Sequence, residues 1–467
     1  MDFQSIFDQQ RAHFLSVVKP APLRIRKEKL KKLRGWIMAN RKEIQHAVFL
    51  DFRKGPEDVD LSEIKPLLAE IDHTTRHLDD WSGYHAVSSP LYLLGSKSGI
   101  LHEPKGVTLI IAPWNFPFML AVNPLISAIA AGCCAVIKPS ELTPNTSALL
   151  ERFATDLFPP EEVTVIQGDA SVSQSLLELK WDHIFFTGSP QVGKIVMAAA
   201  SKHLTSVTLE LGGQNPVVVD ETANLKDAAE KLIWGKLLNN GQSCVSVNAV
   251  FVQEKVKLQL EVELVKAFEK LYPDHKNQIT SGDWIRVVNE RHTQRIAKLV
   301  FSTIESGARE ILGGGISVTE RMIPPTILSD VTLESPILKE EIFGPVMPIL
   351  SFKHIDEVIG WMNSQEKPLM AYIFSKSKQN IQHFIDSTTS GGVAVNETTL
   401  NFVHPGLPFG GVNNSGIGKA HGKAGFLAFT NERSIFIQRR GLTTMKLAYP
   451  PYTWFKKLVI EVLLKWL

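Results

Sequence analysis

Between residues 106 and 220 the chain alternates short apolar runs with helical patterns, and no other feature restricts its fold as tightly. The apolar runs are 107–112, 134–138, 163–167, 183–186, 207–211 and 217–219, and helical spacing falls around 122–131, 145–157, 171–179 and 190–202. A parallel neighbour is reached only through a crossover, so strands that alternate with helices predict a parallel sheet covered on both faces. A second alternating region runs from 224 to about 400, with strand candidates at 249–253, 347–351, 371–374 and 392–396. At 467 residues the chain exceeds what one core usually supports, so two large α/β domains are expected.

Sheets of this kind bind ligands beyond the carboxyl ends of their strands. Four such ends are informative: Pro113-Trp114-Asn115-Phe116-Pro117, Lys138-Pro139-Ser140-Glu141, the turn from Thr187 to Gly193, and Glu210-Leu211-Gly212-Gly213. The turn Gly188-Ser189-Pro190-Gln191-Val192-Gly193 is neither a GxGxxG fingerprint nor a Walker loop. Ser189 as N-cap with Pro190 at the first helical position would still present free N–H groups to a diphosphate, although an ordinary strand-to-helix turn has the same pattern. Lys138 and Glu141, three apart, can hold ribose hydroxyls; equally, Ser140 and Glu141 can open a helix.

The second region holds a cysteine on a loop. Leu225, Ala228, Ala229, Leu232 and Ile233 share one helix face, and Asn239, Asn240 and Gly241 are expected to end that helix before Cys244. A lone cysteine is more often packing than chemistry, so Cys244 gains weight only from its companions. Further on, Glu340-Glu341-Ile342-Phe343-Gly344-Pro345 predicts a fixed loop, and the glycine-rich stretch 404–418 predicts a loop around a ligand or an interface. The other cysteines, Cys133 and Cys134, precede a buried-type strand and read as core.

Charge narrows the partners. Fifty basic against 48 acidic residues leave +2, which gives no reason to expect nucleic acid. The basic run from Arg24 to Arg41 carries Ile25, Leu30, Leu33, Ile37 and Met38 on one face, the pattern of a solvated amphipathic helix. Three cysteines without CxxC spacing predict neither a disulfide framework nor a zinc site. The opening MDFQSIFDQQ lacks a secretory pattern, and no apolar run reaches about 18 residues, so a cytoplasmic location is expected. After the break at Tyr449-Pro450-Pro451-Tyr452, the segment TWFKKLVIEVLLKWL predicts a helix with a wide apolar face. Such a helix can dock on a partner subunit, cover a substrate entrance or touch a membrane surface, and docking on protein is the expectation.

Taken together, PWNFP, KPSE, FTGS-x-x-VG, LELGG, GQSC, EEIFGP and LPFGG-x-x-NSG-x-G resemble the aldehyde dehydrogenase superfamily over nearly the whole chain. GQSC, the short amino-terminal region and the HGK-x-x-F segment at His421 to Phe426 look like its class 3 branch, whose members are dimers acting on medium- and long-chain or aromatic aldehydes. The resemblance implies a Rossmann-like cofactor domain (1–82 and 101–211), a catalytic domain (212–425), a bridging arm (83–100 and 426–447) and a carboxyl-terminal amphipathic helix (448–467).

It also implies roles. Cys244 would be the nucleophile that forms a thiohemiacetal and then a thioester, with oxyanion donors from the Asn115 amide and the Cys244 backbone N–H, and Glu210 the base for hydrolysis. Trp114, Lys138, Glu141, Gly188, Ser189, Val192, Gly193, Glu341 and Phe343 would hold NAD, with NADP as a second possibility, and no metal is implied. Glu340 matches no such role. Where class 3 relatives commonly carry glycine this chain has Asn413, the residue best able to replace a left-handed glycine. Related enzymes that pass the acyl group to CoA typically lack the general-base glutamate, so Glu210 in an intact LELGG favours release of the free acid. An inactive structural homologue would have no reason to keep Cys244, Glu210 and Asn115 together.

Overall fold

The computed structural model describes residues 2–273, 284–441 and 443–466. In chain order its strands are β1 (Tyr84–Val87), β2 (Lys97–Pro104), β3 (Val107–Ile111), β4 (Cys134–Lys138), β5 (Val163–Val165), β6 (His183–Gly188), β7 (Ser206–Leu211) and β8 (Pro216–Val219). There follow β9 (Ala249–Gln253), β10 (Arg309–Leu312), β11 (Thr326–Ser329), β12 (Val346–Phe352), β13 (Met370–Phe374), β14 (Gly392–Val395), β15 (Gly416–Ile417) and β16 (Thr430–Ile437).

These strands form three sheets. One has the order β15-β7-β6-β3-β4-β5, parallel except for β15 against β7. The second runs β10-β11-β12-β9-β8-β13-β14, parallel except for β10 against β11. The third, β1-β2-β16, is antiparallel. Two mostly parallel α/β sheets are the architecture the alternation and the resemblance predicted; the small antiparallel sheet was not read from the sequence. Every residue of β3 and of β4 is buried, as a sheet covered by helices on both faces requires.

Differences from the sequence reading have local causes. The run at 217–219 reads in sequence as the last strand of the first alternating region, yet β8 lies between β9 and β13 in the second sheet. Periodicity marks a strand but cannot say which sheet receives it. Strand β10 opens on the exposed Arg309 and Glu310, and β11 has Thr326 and Ser329 at its ends, so neither stands out as an apolar run. The helix after β4 begins at Pro144 with Thr143 as its cap residue, so the alternative of a helix opening at Ser140 and Glu141 is not what forms. In the helix Leu23–Ala39 the buried residues are Leu30, Leu33, Trp36 and Ile37, while Met38 faces outward.

The last helix, Trp454–Trp466, leaves Trp454, Phe455, Leu458, Val462, Leu463 and Leu464 exposed. Among the described residues no helix is long and apolar enough to cross a membrane.

Candidate active site

Register brings the four informative strand ends to one edge of the first sheet. Ile111 lies opposite both Lys138 and Phe186, and Thr187 lies opposite Glu210. Trp114 and Asn115 follow just past the end of β3. From the other sheet the chain arrives through the helix Leu225–Leu237 and then reverses at Asn239, Asn240 and Gly241, with φ of 51°, 55° and 72°. Asparagine and glycine are the residues that adopt this left-handed conformation most readily.

Side chains pin this reversal to the first sheet. Asn115 Nδ2 donates to the Gln242 carbonyl (3.2 Å), and Asn239 Nδ2 donates to the Asn115 carbonyl (2.7 Å) and to that of Gln242 (3.1 Å). The Gln242 side chain donates to the Asn239 and Arg286 carbonyls and accepts from Val288 N. Asn215 Nδ2 donates to the carbonyl of Cys244 itself (2.7 Å) and to that of Ser246 (2.9 Å), while its Oδ1 accepts from Met370 N (2.8 Å). Tyr372 donates its hydroxyl to the Val245 carbonyl (2.7 Å), and Lys236 Nζ donates to that of Val247 (2.7 Å). The loop is thus held by buried polar side chains, and Cys244 is partly exposed among buried neighbours.

Two carboxylates face the thiol. Burial pushes the Cys244 thiol up to about 12, the charges of Glu341 and Glu210 add to this, and the backbone N–H groups of Cys244 and Val245 oppose it. Burial also raises Glu210 well above the ordinary carboxylate range, with Lys419 opposing, and among the described residues neither Glu210 oxygen has a hydrogen-bond partner. Glu341 is pushed by burial up to about 8 against the Gly213 N–H, Arg295 and Lys236. A buried carboxylate without a partner is costly and marks a site shaped for something other than stability.

The remaining predicted residues lie at the neighbouring strand ends. Lys138 Nζ is buried and bonded to the Pro139 carbonyl (2.9 Å) and to Glu141 Oε2 (3.0 Å), while Glu141 reaches solvent. Ser189 caps the helix Pro190–Ser201 by accepting from Val192 N (3.4 Å), with Pro190 in its first turn. Gly193 has no room for a side chain: a Cβ there would lie 2.8 Å from Leu211, and one at Gly188 would lie 2.5 Å from the Phe186 ring. Trp114 and Phe343 meet edge to face, ring centroids 5.2 Å apart, and Phe343 has φ of 51°. Glu340 points elsewhere, to Arg295 at 3.3 Å.

A dinucleotide fits this set. The free N–H groups of a helix start suit a diphosphate, the Lys138–Glu141 pair offers a donor and an acceptor for a ribose, and Glu341 Oε1 is a buried acceptor with no partner. Gly212 keeps Glu341 in place, since a Cβ there would lie 2.2 Å from its Oε2.

Phe116, Phe118, Met119 and Phe409 read in sequence as an apolar channel or, equally, as buried packing, and the structure divides them. Phe118 is core, packed with Trp36 and Phe153. Met119 lines a narrow pocket with Asn123, Phe402, Val403 and His421, and Phe409 stacks on that His421 at 5.0 Å. Sequence reasoning missed Asn215, Lys236, Tyr372 and Lys419. Asn215 carried the clearest signal, a polar residue between Gly213 and the apolar run of β8, where only a structural hydrogen-bonding role makes sense. Asn413 has φ of 56°, the left-handed position that its replacement of glycine implied.

Residues 2–435 match the model of the aldehyde dehydrogenase family. The 4,4'-diaponeurosporen-aldehyde dehydrogenase of Staphylococcus aureus (strain NCTC 8325 / PS 47) is 41% identical over 449 residues, 96% of either chain. The dimeric NADP-preferring aldehyde dehydrogenase of Mus musculus is 39% identical over 451 residues, 96% of this chain and 98% of its own. The solved structure of the substrate-bound state of Staphylococcus aureus AldH superposes with a TM-score of 0.94 at 40% identity, covering 99% of this chain and all of that one. The fold and the relatives are those of NAD(P)-dependent oxidoreductases that act on aldehydes. The chain belongs to the aldehyde dehydrogenase family.

Proposed function

We propose that the protein oxidises a medium- or long-chain aliphatic, or an aromatic, aldehyde to its carboxylic acid through a thioester on Cys244. The observation that carries the reading is the unpartnered Glu210 carboxylate, buried beside a thiol whose loop is tied to Asn115. The Cys244 sulfur attacks the carbonyl carbon as a thiolate, and the thiohemiacetal oxyanion that forms is met by the Asn115 amide and the Cys244 N–H. The nicotinamide, when bound, supplies the two-electron acceptor that turns the thiohemiacetal into a thioester. Glu210 then takes a proton from water, whose oxygen adds to the thioester carbon and releases the acid and the thiolate.

Trp114, Lys138, Glu141, Gly188, Ser189, Val192, Gly193, Glu341 and Phe343 are proposed to hold the cofactor. The exposed acidic Glu141 would repel a ribose 2′-phosphate, so NAD is the proposed preference, with NADP accepted. Kinetics on aldehydes graded by chain length, with both cofactors and with and without CoA, test this reading. A higher kcat/KM with NADP overturns the cofactor preference, and an acyl-CoA product overturns hydrolysis.

The cofactor and catalytic domains, bridging arm and terminal helix are proposed at the boundaries given above, in a cytoplasmic homodimer. Among the described residues the outer edge of β16 has no neighbour in its sheet, which supports the arm as the pairing surface. The helix Trp454–Trp466 is proposed to dock on the partner subunit. A chain ending at Tyr449 with unchanged assembly and unchanged long-chain activity would refute that role. Retention of the full chain, but not the shortened one, on anionic vesicles would assign the helix to a lipid surface instead.

A further inference from the structure

Lys419 lies between β15 and the helix Gly422–Ala428. Its Nζ donates to the Gly410 carbonyl and, at 3.2 Å, to that of Gly411. Gly410 ties this lysine to the proposed base. A Cβ on Gly410, whose φ is +145°, would lie 2.9 Å from Glu210 Oε1 and 3.1 Å from Lys419 Cδ. Carboxylate and lysine stem therefore border one empty side-chain direction. The ammonium makes its hydrogen bonds to the two carbonyls, while both Glu210 oxygens accept none.

This arrangement separates two effects that an ion pair would combine. A cation bonded to Glu210 would hold it ionised but occupy the lone pairs that must take the proton. A cation fixed on nearby carbonyls supplies the field and leaves the lone pairs free. We propose that Lys419 is a positioning residue for deacylation, its carbonyl-anchored ammonium favouring the ionised form of Glu210 against burial while leaving that carboxylate unbonded, so that it can deprotonate the hydrolytic water. The titratable groups around Glu210 are Lys419, from the segment after β15, and the Cys244 thiol from the facing loop, with Glu341 acting on that thiol as well. Among the described residues Lys419 alone supplies positive charge to Glu210, and it opposes the rise that burial imposes.

Two unit charges taken to be roughly 6–8 Å apart, at an effective dielectric of about 20, shift a carboxyl by on the order of one to two pH units. The proposal rests on Glu210 being the base, so the test separates the two. A p-nitrophenyl ester acylates Cys244 without cofactor, giving a burst of nitrophenolate followed by acyl-enzyme hydrolysis that can be followed against pH. Lys419→Gln keeps donors for the two carbonyls and removes the charge; Lys419→Met removes both; Lys419→Arg restores the charge. In Lys419→Gln the midpoint of the pH rise in hydrolysis is expected to move up by about one to two units, with the burst unchanged and a high-pH plateau within a few-fold of wild type. Lys419→Arg should return the midpoint to near wild type. An unmoved midpoint in Lys419→Gln, or an equal loss at every pH, overturns the proposal, even if Lys419→Met fails to fold. Hydrolysis that survives in Glu210→Gln with its pH dependence intact overturns the assignment of the base instead.

Discussion

Gly241→Ala tests whether the two halves of the site are held at a fixed distance by backbone contact. Gly241 stands three residues before Cys244, has φ of 72°, and approaches the segment after Phe343 so closely that a Cβ would lie 2.1 Å from the Gly344 carbonyl oxygen and 2.4 Å from its carbon. A left-handed alanine costs about 1–2 kcal/mol. Relieving the contact to ordinary van der Waals separation requires the two segments to part by roughly 1 Å, which at overpacked sites costs a further 1–3 kcal/mol or so. Unfolding entropy of about 2 cal/mol/K per residue makes 3 kcal/mol a fall in Tm of only about 3 °C in a chain this long. Activity should suffer far more, because a displacement of about 1 Å at reacting groups can cost on the order of 10²-fold in rate.

Differential scanning fluorimetry and kcat/KM for one aldehyde, measured on the same preparation, check both numbers. Gly35→Ala serves as the control, since a Cβ in that helical position meets nothing within 4 Å and should raise stability by about 0.5–1 kcal/mol with activity unchanged. A Gly241→Ala enzyme with kcat/KM within a few-fold of wild type would refute the reasoning.

Three further outcomes are expected. Asn115→Ala should lower kcat by about 10²–10³ with little change in cofactor affinity, measured by steady-state kinetics and fluorescence titration, if its amide meets the oxyanion. Asn215→Ala removes both bonds to the Cys244–Ser246 carbonyls and orphans Met370 N, so urea unfolding should show a loss of about 3 kcal/mol. Iodoacetamide alkylation of Cys244 in the free enzyme should keep rising well above pH 9, as a thiol pushed up to about 12 must, and Glu341→Gln should speed it at pH 9 by removing a nearby negative charge. Alkylation that levels off near pH 8 would contradict this.

Much of the fold was legible because parallel strands buried on both faces leave continuous apolar runs: β4 and β9 occupy the predicted residues 134–138 and 249–253. Turn chemistry was legible where one conformation has few occupants, as with Ser189 and Pro190 at a helix start and with Asn413 in the left-handed region. Sheet membership was not, because β8 joins its sheet through pairing with β9 and β13 and nothing in its own residues records those partners. The second layer of the site was hidden for a similar reason. Asn215 and Lys419 act through backbone groups brought close by folding, and a polar residue destined for a carbonyl looks like any other polar residue in sequence.

The central claim is that Cys244 carries the acyl group and Glu210 removes it. Intact-protein and peptide mass spectrometry of Glu210→Gln, quenched after mixing with an aldehyde and NAD, tests this most directly. The account predicts an acyl adduct of the aldehyde's own chain on the peptide holding Cys244, lost when Cys244→Ala is added. An unmodified Cys244 during continuing acid production, or an adduct on Cys133 or Cys134, would contradict it.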